Sequence, residues 1–280
     1  MNQANVKGQI SGRFEGAPVT KYLLILNVLF FLVDVAGVGQ QAFGRLEPYL
    51  AFTVHHTFFD GQLWRLIGFQ FLHADLGHLF FNMFAIFMFG AIVERIMGAR
   101  RFLAYYLLCG VAGALLYSAL ALLGWLGFGI LVGASAGIFG ILVALILIAP
   151  DMRVVLLFPP IPMKLKTFGM VILGLGVLTV LTNGNNAGGE AGHLGGALLG
   201  FLLMKNPRWL DWVDKIGKPR VIKKTVPKRH YQAKIRPRTS MAEDASEVDK
   251  ILDKVSAHGI HSISDEERKK LQQVSKKNRS

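Results

Sequence analysis

The sequence predicts an all-α membrane protein: six transmembrane helices, a long first loop and a basic cytoplasmic C-terminal tail. Three observations carry this. The 280 residues are 52% hydrophobic, with a mean hydropathy of +0.41, too apolar for an ordinary soluble domain. Six apolar runs approach the ~20 residues with which a helix crosses ~30 Å of hydrocarbon. Lys and Arg, the source of a formal net charge of +13, gather in alternate connections and beyond Lys205, the distribution of a membrane topology rather than of a nucleic-acid-binding surface.

The spans run in order from Tyr22 to Val38, His78 to Ile96, Phe102 to Leu123, Ser135 to just before Pro150, Phe168 to Thr182 and His193 to Met204. The residues before the first span are polar and lack the apolar core and small-residue cleavage site of a removable signal, so that span is expected to stay as an anchor. Lys7, Arg13 and Lys21 precede span one, Arg95, Arg100 and Arg101 join spans two and three, and Arg153, Lys164 and Lys166 join spans four and five. Because cytoplasmic loops collect cations, these three groups and both termini are expected in the cytoplasm. The opposite side receives the long loop Gly39 to Gly77, the uncharged "GWLGFGILV" and "NGNNAGGEAG", whose one charge is Glu190. The long first loop is expected to carry its own structure, with "TFFDGQLW" in the membrane interface.

After Met204, "NPRWLDWVDKIGK" places Trp209, Leu210, Val213 and Ile216 on one helical face, an interfacial helix. Pro219 to Ser240 reads as a basic linker suited to anionic lipid. Val248, Ile251, Leu252 and Val255 recur at helical spacing, and Ser264 with Glu267 forms a capping box, which together predict a small helical hairpin. The divisions are therefore a cytoplasmic segment (1–20), a six-span domain (21–205), the interfacial helix and linker (206–240) and the hairpin (241–280). The single cysteine, Cys109, excludes an intrachain disulfide and reads as a packing residue.

Two polar residues inside the hydrocarbon need explaining. In "GASAGIFG", Gly133 and Gly137 form a small-xxx-small pair of the kind that brings helices together. At ~100° per residue Ser135 lies about 200° from both and points with Ile138 and Phe139. Glycine packing thus leaves the serine unexplained. In "GHLGGALLG", His193 shares a helix face with Gly196, Ala197 and Gly200, so the surface carrying the imidazole is also one that a neighbour can approach closely. An ionisable group within a span is costly and faces a partner or a cavity. A serine requires an adjacent base to become a nucleophile, and each residue accounts for the other. His78 and Asn82, at i and i+4 in "HLFFN", can direct donors to one point, where with the backbone N–H of Ser135 they would stabilise an oxyanion. A metal site at His73 and His78 with His55 and His56 nearby is disfavoured, because no carboxylate or third histidine shares the helix face.

These stretches, together with "WR" at Trp64 and Arg65, "HADLGHLFFNM" from His73 and "GAIVER" from Gly90, resemble the rhomboid family of intramembrane serine proteases. The resemblance covers roughly residues 18 to 205. It implies Ser135 as nucleophile, His193 as general base in a dyad without a carboxylate, and His78 and Asn82 as oxyanion-hole side chains. It also implies that Phe139, where the family often has tyrosine, stacks on the histidine, and that Trp64, Arg65, His73 and Glu94 are structural, as are Gly133, Gly137, Gly196 and Gly200. No metal or organic cofactor is implied and no nucleic acid. The expected partners are membrane-protein substrates, membrane lipids and a cytoplasmic partner of the tail. The expected site is a bacterial inner membrane. The alternative is a non-catalytic rhomboid-like protein that binds membrane clients; a small-solute transporter would show paired intramembrane charges or an internal repeat.

Overall fold

The computed structural model describes residues 14–36, 46–156, 160–216 and 239–277. Lys7, Arg13 and most of the basic linker lie outside them. The chain forms two units, Met1–Pro219 and Arg220–Ser280.

The first unit is a helical bundle. Its helices are α1 (Pro18–Val35), α2 (Leu76–Met97, with a π-helical turn at Ile86–Gly90), α3 (Ala99–Leu122), α4 (Ser135–Ile148), α5 (Leu165–Leu181) and α6 (Ala187–Lys205). The first three are long and apolar enough to cross a membrane, while α4 and α5 are shorter apolar helices. Several ends differ from the hydropathy reading. Helix α1 starts at Pro18 because proline suits the first turn and because Glu94 of α2, fully buried, accepts from Val19 N (2.8 Å), Thr20 N (2.7 Å) and Thr20 Oγ1 (2.7 Å). A carboxylate there satisfies amides that have no partner within the helix. Glu94 thus ties α2 to α1.

Glycines let α6 pack closely against both α3 and α4. A methyl group at Gly196 would meet the backbone of Ala136, one at Gly200 would stand 2.9 Å from Gly140 Cα, and one at Gly195 would stand 2.8 Å from Gly113 Cα. Backbones meet without intervening side chains, the close packing that membrane helices use where hydrophobicity gives no drive to associate. Gly133 does not belong to such a pair: α4 begins at Ser135, and Gly133 precedes it at φ +125°. Gly137 lies alone against the Tyr106 ring.

The first loop is built from short turns, Glu47–Leu50, His55–Phe59, Arg65–Gly68 and Phe69–Phe71. Buried Arg65 joins them, donating to Ala51 O (2.6 Å), Pro48 O (2.6 Å) and Gln62 Oε1 (2.7 Å), and Trp64 Nε1 donates to Tyr49 O (3.0 Å). Between α4 and α5 lies an antiparallel ribbon of β1 (Arg153–Val155) and β2 (Pro162–Lys164), which hydropathy alone does not suggest.

The segment after α6 departs from the helix that its sequence pattern predicts. Instead of one amphipathic helix it forms two single 3₁₀ turns, Pro207–Leu210 and Val213–Lys215. Leu210 and Val213 are buried, but Trp209 and Ile216 are exposed. The reason is charge pairing: Arg101 bonds Asp211 (2.9 Å) and Asp214, and Arg100 donates to Ile216 O (2.7 Å), so the segment is strapped to the start of α3.

The second unit contains α7 (Thr239–His258) and α8 (Asp265–Lys277). Ser264 N donates to Glu267 Oε2 (2.7 Å) and Glu267 N to Ser264 Oγ (3.3 Å), and Lys254 pairs with Glu267 between the helices.

Candidate active site

Ser135 is the first residue of α4, and the strand-like approach to it is fixed by the first loop. Phe52 and Leu131 exchange both backbone hydrogen bonds (3.1 and 2.9 Å), and Gly133 N donates to Phe69 O (2.9 Å). Gly133 then takes a φ open mainly to glycine. A methyl group at Gly133 would stand 2.8 Å from His78 Nε2 and 3.6 Å from Ser135 Oγ, so its absence keeps open the space between those two side chains.

His193 Nε2 lies 2.8 Å from Ser135 Oγ. The contact follows from the glycine packing of α6 on α4, because His193, Gly196 and Gly200 occupy the same face at i, i+3 and i+7. Phe139, one turn beyond Ser135, stacks on the imidazole with ring centroids 4.3 Å apart and planes 8° from parallel. An imidazole held so has little freedom to leave the serine.

At the start of α2, Asp75 caps the helix, accepting from His78 N (2.8 Å). His78 packs edge-on against His73 (5.1 Å between centroids). Burial, with the His78 ring second, holds the His73 imidazole down to about 4, so it is neutral at ordinary pH. Asn82 is buried, and its Nδ2 has no acceptor among the described residues. A buried amide donor without a partner costs stability. Here it lines, with Ser135, a cavity of about 430 Å³ between α2, α4, α5 and the β-ribbon, whose other walls include Phe81, Ile138, Leu142 and Ile172.

The structure thus brings Ser135, His193 and Phe139 into direct contact and sets His78 and Asn82 around the serine. Trp64, Arg65 and Glu94 lie in their own hydrogen-bond networks. One residue escaped the sequence reading. Glu190 belongs to the first turn of α6 rather than to a loop, and its Oε2 lies 3.1 Å from His193 Nδ1. The available signal was the i, i+3 spacing of Glu190 and His193, which puts them on one face only if the helix begins before the span.

A family model described as "Rhomboid domain" matches residues 60–206, just over half of the chain. The chain belongs to the rhomboid family. With its long apolar helices, this rhomboid is an integral membrane protein of a family of intramembrane proteases. It is 33% identical over 202 residues to Rhomboid protease GluP of Bacillus subtilis (strain 168), covering 67% of this chain and 34% of that one. To RHOMBOID-like protein 7 of Arabidopsis thaliana it is 37% identical over 159 residues, covering 55% and 46%. To Rhomboid protease AarA of Providencia stuartii it is 26% identical over 223 residues, covering 72% and 76%. The rhomboid thus spans a third to a half of the length of the first two. A second family model, "Family of unknown function (DUF6576)", matches residues 238–277, the helical hairpin.

Proposed function

We propose that this rhomboid is an intramembrane serine endopeptidase that cleaves transmembrane or membrane-proximal peptide bonds of other membrane proteins. The observation that carries the reading is the 2.8 Å approach of His193 Nε2 to Ser135 Oγ. His193 takes the serine proton as Oγ attacks the scissile carbonyl, then passes it to the leaving amine. The resulting acyl-enzyme is hydrolysed by water activated by the same imidazole. His78, Asn82 and the backbone N–H of Ser135, which as a helix N-terminal amide has no partner within α4, stabilise the oxyanion. The unpartnered Asn82 amide supports this assignment, because an oxyanion would supply the acceptor it lacks. The reading calls for no metal or organic cofactor.

The topology that fits the reading is six spans, α1 to α6, with both termini in the cytoplasm of a bacterial inner membrane. Helix α4 has 14 residues, about 21 Å at 1.5 Å per residue, against ~30 Å of hydrocarbon. With its C-terminal end at the cytoplasmic surface, Ser135 lies several Å below the outer one. Exposed Phe59, Leu63 and Trp64 suit a first loop lying in the interface. The apolar cavity beside Ser135 suits a substrate segment arriving from the bilayer after local unwinding. The basic residues beyond Lys205 suit anionic lipid headgroups, and the hairpin a cytoplasmic partner.

The test is labelling of the solubilised full chain with a fluorophosphonate probe, which requires no known substrate. Wild type is expected to label and Ser135→Ala and His193→Ala to remain unlabelled. A folded wild type that fails to label would overturn the reading in favour of a client-binding rhomboid.

A further inference from the structure

We propose that Glu190 is a positioning residue for His193, holding the imidazole of the Ser135–His193 dyad in the orientation and protonation form that the reaction needs. This rests on the catalytic reading above. Glu190 Oε2 lies 3.1 Å from His193 Nδ1, on the nitrogen opposite the one that faces Ser135. The two side chains are 25% and 17% exposed, shielded enough for the pairing to matter and unlike a solvated surface pair.

Independent features hold the carboxylate there. It sits in the first turn of α6, where the unpaired helix amides favour negative charge. It also fits a notch in α5: a methyl group at Gly176 would stand 2.9 Å from Glu190 Oε2. The carboxylate therefore lies between two helices, and the Phe139 ring covers the imidazole face.

The chemical consequence concerns which nitrogen carries the proton. A carboxylate accepts only, so it selects the imidazole form with hydrogen on Nδ1 and leaves the Nε2 lone pair for the serine. As the Oγ–carbonyl carbon bond forms, the Oγ proton moves to Nε2 and the ring becomes a cation with both N–H groups in use. Nδ1–H donates to Glu190, which remains ionised. Nε2–H is given to the amine as the C–N bond breaks. Water then repeats the sequence: its proton goes to Nε2, its oxygen joins the acyl carbon, and the Nε2 proton returns to Ser135 as the ester breaks. Glu190 never exchanges a proton and never touches substrate. It orients the ring and balances its charge.

The experiment compares wild type, Glu190→Gln, Glu190→Leu and Ser135→Ala as full chains in detergent, measuring fluorophosphonate inactivation resolved into a maximal rate and a probe affinity. The expected result is a fall in the maximal rate of about 10- to 100-fold for Glu190→Leu, a smaller fall for Glu190→Gln, which keeps an acceptor without the charge, and probe affinity within about twofold. In Ser135→Ala labelled with ¹⁵N-histidine, a low-field Nδ1–H proton is expected, and its loss on adding Glu190→Leu; this readout is independent of catalysis. An unchanged rate in both Glu190 variants overturns the proposal and leaves the Ser135 reading standing. Where Glu190→Leu fails to fold, Glu190→Gln decides alone, an unchanged rate again overturning. A wild type that does not label, with no low-field proton in Ser135→Ala, overturns both readings.

Discussion

The two flanks of α4 are built on opposite plans. On one side α6 meets it backbone to backbone through Gly196 and Gly200, and there Ser135 pairs with His193, His193 with Glu190 under the Phe139 ring, and Tyr105 Oη donates to Gly140 O at 2.7 Å. On the other side α5 stands off across an apolar cavity of about 430 Å³, faced by the unpartnered amide of Asn82. The two helices touch elsewhere, where a methyl group at Gly169 of α5 would meet the end of Ile146 of α4. The close side holds the reacting atoms at hydrogen-bond distance, which is what proton transfer requires. The open side leaves volume and a free donor where a substrate would come. One helix thus separates a part that cannot be altered without loss of alignment from one that has room to give.

The close flank should break most completely. Gly196→Val drives branched carbons into the backbone of Ala136, which cannot retreat as a flexible side chain would. The expected outcome is loss of fluorophosphonate labelling beyond ~1000-fold, with a loss of ~3 kcal/mol or more in stability, at the upper end of overpacking costs, read by thermal unfolding in detergent. Asn82 sharpens the contrast because its donor is invested in the open side. Asn82→Ala is expected to lower peptide-bond cleavage by ~100- to 1000-fold, the usual cost of an oxyanion donor, while thermal stability holds or rises, since an unpartnered buried amide is removed. A parallel fall in stability would instead make Asn82 a structural link between α2 and α4.

Most of this arrangement was legible because intramembrane polar residues are so costly that each demands a partner. Ser135 and His193 stand out for that reason and each supplies the partner that the other needs, while His78 and Asn82 stand out as donors at i and i+4 of one helix face. What was not legible depended on backbone conformation. Gly133 looked like half of a helix-packing pair, but its role lies in a φ of +125° set by the Phe52–Leu131 and Gly133–Phe69 hydrogen bonds. Glu190 looked like a loop charge, because "NAGGEAG" has low helix propensity. Helix α6 nevertheless begins at Ala187, packed so closely on α3 that a methyl group added at Gly188 would stand 3.0 Å from the Tyr117 ring. Glu94 could not be assigned to the start of α1 without knowing that α1 and α2 lie side by side, and the turns after α6 depended on Arg101 finding Asp211 and Asp214.

A pH titration reaches the turn leading into α2, where His73 packs against His78. Burial lowers His73 from 6.5 to about 4. The folded protein therefore holds this imidazole neutral while the unfolded chain protonates it near its ordinary value. The unfolded state binds more protons between the two, so the stabilisation is complete above about pH 6.5 and is lost as pH falls toward 4. At 1.36 kcal/mol per pH unit the loss is of order 2–3 kcal/mol. Denaturation midpoints measured at pH 7, 5.5 and 4.5 should fall in that order in wild type and flatten in His73→Gln. An equal slope in both would assign the acid sensitivity to other groups.

The smallest effect should come from the open flank, and its smallness is informative. Ile172 of α5 lines the cavity and is only partly buried. Ile172→Ala removes three carbons from a wall that already borders empty space, so little new cavity has to be created and the stability cost should lie near or below the ~1 kcal/mol of a mild core truncation. Labelling by a small fluorophosphonate should change by less than about twofold, because the probe reacts at the Ser135–His193 contact and does not need the volume beside Ile172. Cleavage of a membrane-embedded segment should respond more, since that substrate has to share the cavity with the same wall. If the small probe and the embedded substrate respond equally to Ile172→Ala, the cavity is part of the chemical site rather than of the approach to it, and the division of α4 into a fixed and a yielding flank fails.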